Sequence, residues 1–184
     1  MYFWLEDEIK GYYKRKHLPH YDNDKVFQFI TYRLFDSVPK NLLYKWMDQL
    51  EMDGNIEKGS EKYIALERKI HLYEDSGYGE CYLKNPLIYN IVKEAFEQFD
   101  QVTYELVDWV IMPNHVHVLI SPKLGYSLPK IVQSWKSYTA REANKVLGRQ
   151  CPFWMKDYFD RYIRSEEHLH NVIAYIEKNR VSIR

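Results

Sequence analysis

Two β-forming runs, Val102–Met112 and Val116–Ser121, stand only a few residues apart, and this closeness constrains the fold more than any other feature of the chain. Parallel neighbours need a crossover of roughly a dozen residues or more, whereas these runs are joined by the kink at Met112-Pro113-Asn114, so they must pair antiparallel. Helical patterns lie on either side of them. Strands interleaved with helices around an antiparallel pair predict an α+β sandwich and argue against a doubly wound parallel sheet.

The rest of the chain can be read against that pair. Val26 to Leu34 is rich in β-formers and predicts a strand after a polar arm, residues 1–25. Pro39 opens a helix to about Glu51, Asp53–Ser60 reads as a polar loop, and helical period resumes from Glu61 to about Ile70. Ser76-Gly77-Tyr78-Gly79 is a turn, leading into a short extended piece at Cys81-Tyr82-Leu83. Asn85-Pro86 starts a helix whose expected apolar face carries Leu87, Ile88, Ile91, Val92, Ala95, Phe96 and Phe99. Leu128–Leu147 is an amphipathic helix stopped by Gly148. The aromatic and basic segment Pro152–Arg164 gives no clear period. Ser165 caps a last helix, residues 165–184, with Glu166 and Glu167 in its first turn and a regular pattern to about Asn179. No repeat or linker divides the 184 residues, so residues 1–184 are expected to be one domain.

Composition narrows the setting. Cys81 and Cys151 are far apart and match no paired metal spacing, which excludes a disulfide scaffold and a zinc ribbon; both read as small apolar residues. No apolar run is long enough to span a bilayer, and Met1–Lys16 carries neither a signal-peptide pattern nor a lipidation motif, so no membrane partner and a cytoplasmic, nucleoid-associated location are expected. The formal net charge is zero, yet Lys123–Arg184 holds 12 Lys or Arg against 6 Asp or Glu. Such a basic third can gather phosphates although the whole chain is neutral.

The sharpest chemical feature is Pro113-Asn114-His115-Val116-His117-Val118-Leu119-Ile120. In a strand, residues two apart share a face, so His115 and His117 leave together while Val116, Val118 and Ile120 enter the core opposite. Two convergent imidazoles are either a metal pair or two exposed, hydrogen-bonded histidines. His168-Leu169-His170 is a control: on a helix, residues two apart diverge by about 200° and cannot share an ion. His17 and His20, interrupted by Pro19, read as surface or DNA contacts. On the last helix Tyr175 and Asn179 are four apart and share a face, either as a half-buried core tyrosine and a C-terminal capping asparagine or as groups meeting the histidines. Tyr158 and Tyr162 are rival nucleophiles on equal chemical grounds.

Across nearly its whole length the chain resembles the REP-associated tyrosine transposases, relatives of the insertion-sequence transposases with one catalytic tyrosine and a histidine–hydrophobe–histidine motif. The resemblance rests on His17-Leu18-Pro19-His20, Phe29-Ile30-Thr31-Tyr32-Arg33-Leu34 and Gly77-Tyr78-Gly79. It continues through Trp109-Val110-Ile111-Met112-Pro113-Asn114-His115-Val116-His117, Trp135-Lys136-Ser137-Tyr138-Thr139-Ala140, Tyr158-Phe159-Asp160-Arg161-Tyr162-Ile163-Arg164 and Tyr175-Ile176-Glu177-Lys178-Asn179. It implies a ferredoxin-like antiparallel sheet with helices packed on it. It also implies that His115 and His117 bind a divalent metal, Mg2+ or Mn2+, with Asn179 as third ligand, and that Tyr175 is the nucleophile. The implied partner is single-stranded or hairpin DNA, and the implied state a monomer, with a dimer as the alternative. Members commonly have Asn-Pro-Val where this chain has Asn179-Arg180-Val181, so the helix is expected to run on past Asn179. Many also extend further beyond this motif, which leaves hairpin-sequence recognition less supported than catalysis.

The expected chemistry is nicking and joining of DNA through a 5′-phosphotyrosine link. Lys136, Arg161 and Arg164 are candidate phosphate contacts, and Trp135, Tyr158 and Tyr162 candidate base-stacking residues. Three other readings compete. A histidine-triad nucleotide hydrolase would need a third histidine where Leu119 stands. A metal phosphodiesterase would attack with water and leave Tyr175 structural. A domesticated hairpin-binding protein would bind without turnover.

Overall fold

The computed structural model describes residues 12–15, 18–21, 26–52 and 60–182. The first strands, β1 (Tyr12–Arg15) and β2 (Leu18–Tyr21), form an antiparallel hairpin within the N-terminal arm. His17 and the loop expected at Asp53–Ser60 fall largely outside the described residues, as do the side chains of the hairpin.

A second sheet organises the rest. It contains β3 (Gln28–Arg33), β4 (Tyr104–Ile111), β5 (His115–Pro122) and β6 (Phe159–Tyr162), in the order β4-β5-β3-β6 with every neighbouring pair antiparallel. In chain order these are first, second, third and fourth, so the sheet reads 2-3-1-4. That is the split β-α-β arrangement of the ferredoxin-like fold. The expected antiparallel pair β4–β5 is present, and the unassigned segment 152–164 supplies the edge strand β6.

Among the described residues five helices accompany the sheet: α1 (Lys40–Gln49), α2 (Glu61–Asp75), α3 (Pro86–Glu97), α4 (Leu128–Val146) and α5 (Glu166–Ser182). Alternation along the strands assigns the two faces. Ile30, Tyr32, Val116, Val118 and Ile120 join a large apolar core beneath α3 and α4, together with Ile88, Val92, Phe96 and Trp135. The opposite face carries a smaller core in which Val110 and Leu119 meet Val172 and Ile176 of α5.

Three local expectations need correction. The piece Cys81-Tyr82-Leu83 is not extended; Tyr82–Lys84 is a 3-10 turn entered through Cys81 at φ 53°. Helix α2 continues past Ile70 to Asp75, because Ile70 and Glu74 extend its buried face by a further turn. Cys151 is exposed rather than packed, whereas Cys81 is buried. Helix α5 runs through Arg180 to Ser182, as expected where no proline follows Asn179.

A candidate active site between the sheet and the last helix

The site is assembled from β5 outward. His115 and His117 project from the α5 side of the sheet, and neither ring is exposed to solvent. Their Nε2 atoms lie 3.1 Å apart. Each ring is fixed from behind through Nδ1: Asn114 Oδ1 is 2.7 Å from that of His115, and Thr31 Oγ1 is 2.8 Å from that of His117. Thr31 can do this because strand register sets it directly opposite His117.

Asn114 also sets the protonation of its neighbour. Its amide nitrogen donates to the carbonyls of Glu74 (3.1 Å) and Tyr78 (2.8 Å), which leaves its oxygen to accept from His115. Nδ1 of His115 must then carry the proton, and Nε2 presents a lone pair. The Tyr78 carbonyl is held by the turn predicted at Ser76–Gly79. There Gly79 has φ +91°, and a Cβ would come within 3.1 Å of the Asp36 carbonyl oxygen, so glycine is required. The chain of cause runs from a glycine in a turn to the lone pair of a histidine.

Burial holds both imidazoles neutral. Burial brings the pKa of His115 down to about 4, against the nearby Glu74 carboxylate, which raises it, and with His71 lowering it further; that of His117 falls well below its ordinary value through burial first and then His115 and His71. Two neutral rings with nitrogens converging at 3.1 Å suit a divalent cation. Adjacent donors around a six-coordinate ion with bonds of about 2.1 Å are separated by about 3.0 Å. Among the described residues, no three His, Cys, Asp or Glu side chains are already gathered in ligating geometry.

Helix α5 delivers Tyr175. Its hydroxyl lies 3.3 Å from Nε2 of His117, and its ring stands edge-on to Phe29. Burial, followed by the charge of Asp75, pushes the phenol up to about 12. Asn179 sits one turn further on and is buried; its amide nitrogen donates to the Tyr175 carbonyl at 3.0 Å, and its nearness to the phenol works against that rise. The fold therefore brings together His115, His117 and Tyr175, with Asn179 reaching them through Tyr175. Beside them a groove of about 480 Å3 opens between α2 and α5, lined by Tyr175, His71, Asp75, Arg68 and Arg161.

Sequence reasoning missed the contribution of α2. His71 lies 3.5 Å from the buried Glu74, which in turn lies 3.3 Å from Arg33. Burial opposes a charge on His71, but the close approach of the Glu74 carboxylate and its charge outweigh it and raise the pKa. Asp75 Oδ1 comes within 3.7 Å of His115 Nε2. These residues are about forty positions from the histidines and carry no local signal; only the packing of α2 reveals them.

The expected DNA contacts divide. Trp135 is a core residue, donating from its indole to the Tyr104 hydroxyl at 3.0 Å and packing on Phe96, so it offers no face to a base. Tyr158 is likewise buried in that core. Lys136 clamps the segment before β6, donating to the carbonyls of Met155 (2.6 Å) and Lys156 (2.8 Å). Arg161 and Arg164 are exposed: Arg161 pairs with Glu67 at 3.0 Å on the groove wall, and Arg164 lies over the Tyr162 ring. His168 and His170 stay on α5 as separate side chains, as the helical spacing required.

A four-stranded antiparallel sheet with a histidine pair on an interior strand, and helices packed on it, defines the class as an α+β protein of ferredoxin-like topology. The chain belongs to the IS200-like transposase family, whose model matches residues 69–179. Among solved structures, the chain is similar to a REP-associated tyrosine transposase bound to a REP hairpin. The identity is 14% over 92% of this chain and 72% of the other, with a TM-score of 0.51. A chain from Deinococcus radiodurans R1 described as a transposase also matches, at 16% identity over 84% and 90% of the two chains and a TM-score of 0.40. No curated protein sequence matches significantly. No helix among the described residues is long and apolar enough to cross a membrane.

Proposed function

We propose that this transposase nicks and rejoins single-stranded DNA next to short hairpins, with Tyr175 as nucleophile and a divalent metal, Mg2+ or Mn2+, at His115 and His117. The observation that carries the reading is the position of the Tyr175 hydroxyl, 3.3 Å from His117 Nε2 at the edge of an open groove. A structural tyrosine on α5 had no need to meet a pair of buried, neutral imidazoles.

His115 and His117 would hold the metal through Nε2, and the family resemblance adds the Asn179 amide. When bound, the cation would favour the phenolate and stabilise charge developing on the scissile phosphate. The remaining work falls to the chain itself. Asn114 and Thr31 keep both Nδ1 atoms engaged, so the two rings are held with their Nε2 atoms aimed at one point. Phe29 and the backbone of α5 fix the phenol in its approach. Tyr175 oxygen bonds to a backbone phosphorus as the bond from phosphorus to the 3′ oxygen breaks. The phenolic proton leaves through the groove, and the released 3′ oxygen takes one up. The resulting 5′-phosphotyrosine retains the phosphodiester bond energy, so a 3′-hydroxyl can later reverse the step without ATP. Arg161 and Arg164 suit the DNA backbone beside the groove, and Tyr162 an adjacent base. Because phenol and imidazoles come from one chain, a monomer suffices.

The test is Tyr175→Phe with a labelled hairpin oligonucleotide. The variant should bind DNA with nearly unchanged affinity yet give no denaturant-stable protein–DNA band, and chelation of the wild type should remove the same band. A water-using phosphodiesterase would cleave without any such band in the wild type. A hairpin-binding protein without turnover would show neither cleavage nor band.

A further inference from the structure

We propose that Asp75, at the end of α2, is an additional carboxylate ligand of the metal held by His115 and His117; the inference rests on the functional reading above. Its Oδ1 is 3.7 Å from the Nε2 of His115, the atom left with a lone pair by the Asn114 contact. Its side chain is 39% exposed and lines the same groove as Tyr175, so it can adjust toward an ion. The gap of 3.7 Å is only slightly wider than the 3.1 Å between the two imidazole nitrogens. Asp75 also occupies the end of a helix fixed in place: Glu74, its neighbour, is buried beside Arg33, and its carbonyl accepts from Asn114.

The Asn179 amide nitrogen, by contrast, donates to the Tyr175 carbonyl. A carboxylate contributes what two neutral imidazoles and an amide lack, a negative charge at the ion. Hard divalent cations bind more tightly as charged oxygen ligands are added, so Asp75 biases the site toward Mn2+ and Mg2+.

The experiment measures Mn2+ binding to the full-length protein by electron paramagnetic resonance of the free ion, for the wild type, Asp75→Asn and His117→Ala, with circular dichroism confirming the fold. Asp75→Asn should weaken Mn2+ binding roughly tenfold or more, and Asp75→Glu should recover part of the loss. Asp75→Cys should shift preference from Mn2+ toward Cd2+, since a thiolate is a soft ligand. Undiminished Mn2+ binding by Asp75→Asn, with His117→Ala unable to bind, would overturn the role of Asp75 and leave the functional reading intact. A wild type that binds no Mn2+ would overturn both.

Discussion

At the scale of single residues, the site is a set of side chains whose protons are dictated by their neighbours. His115 is the clearest case, since its folded pKa of about 4 lies below the ordinary value of 6.5. The unfolded chain therefore binds a proton between those values that the folded chain refuses. Stability is full above pH 6.5 and is lost as pH falls toward 4, by an amount on the order of 3 kcal/mol. His117 acts in the same direction, and His71, raised by Glu74, in the opposite one, so the pair should outweigh the single residue. Thermal unfolding of metal-free protein across pH 4 to 7 should show this decline, and His115→Gln should flatten it. The histidine pair was legible because a strand has period two. Its supports were not: Asn114 stood in the motif only as a strand start, and Thr31 and Asp75 are neighbours through register and packing alone.

At the scale of elements, α5 carries the phenol, and its seating on the sheet decides where that phenol sits. Ile176 is fully buried between Tyr175 and the second core. Replacing it with alanine should cost about 3 kcal/mol through lost burial and a residual cavity, read by chemical denaturation. Arg180 ties the far end: it contacts Asp108 and Glu177, and donates to the Trp109 carbonyl at 2.9 Å. Asp108 is available there because β4 breaks its register between Leu106 and Asp108. Arg180→Ala should cost at most about 1 kcal/mol globally, since the pair is partly solvated, yet speed hydrogen exchange at the last turns of α5. Loss of joining activity with near-normal melting would locate the effect in the seating of Tyr175. The run of α5 past Asn179 was readable from the absence of a proline. The edge strand β6 was not, because four residues of mixed exposure give too short a pattern, and partnership with β3 decides their conformation.

At the scale of the whole molecule, charge is unevenly placed along a chain that is neutral in sum. Arg161 lines the groove and Arg164 is exposed three residues on, so affinity for a single-stranded oligonucleotide should fall by roughly twentyfold between about 50 and 200 mM salt if some three phosphates are engaged. A flat response in fluorescence anisotropy would remove this surface from the DNA path. The sheet also divides labour between its faces: Val116 and Val118 look one way into the large core, His115 and His117 the other. Inserting or deleting one residue between Met112 and His115 would exchange those roles at once, placing valines in the groove and imidazoles in oil. Length changes among relatives should therefore collect in the connections near 50–60 and 147–158, while the spacing through this strand stays frozen like the reading frame of a gene.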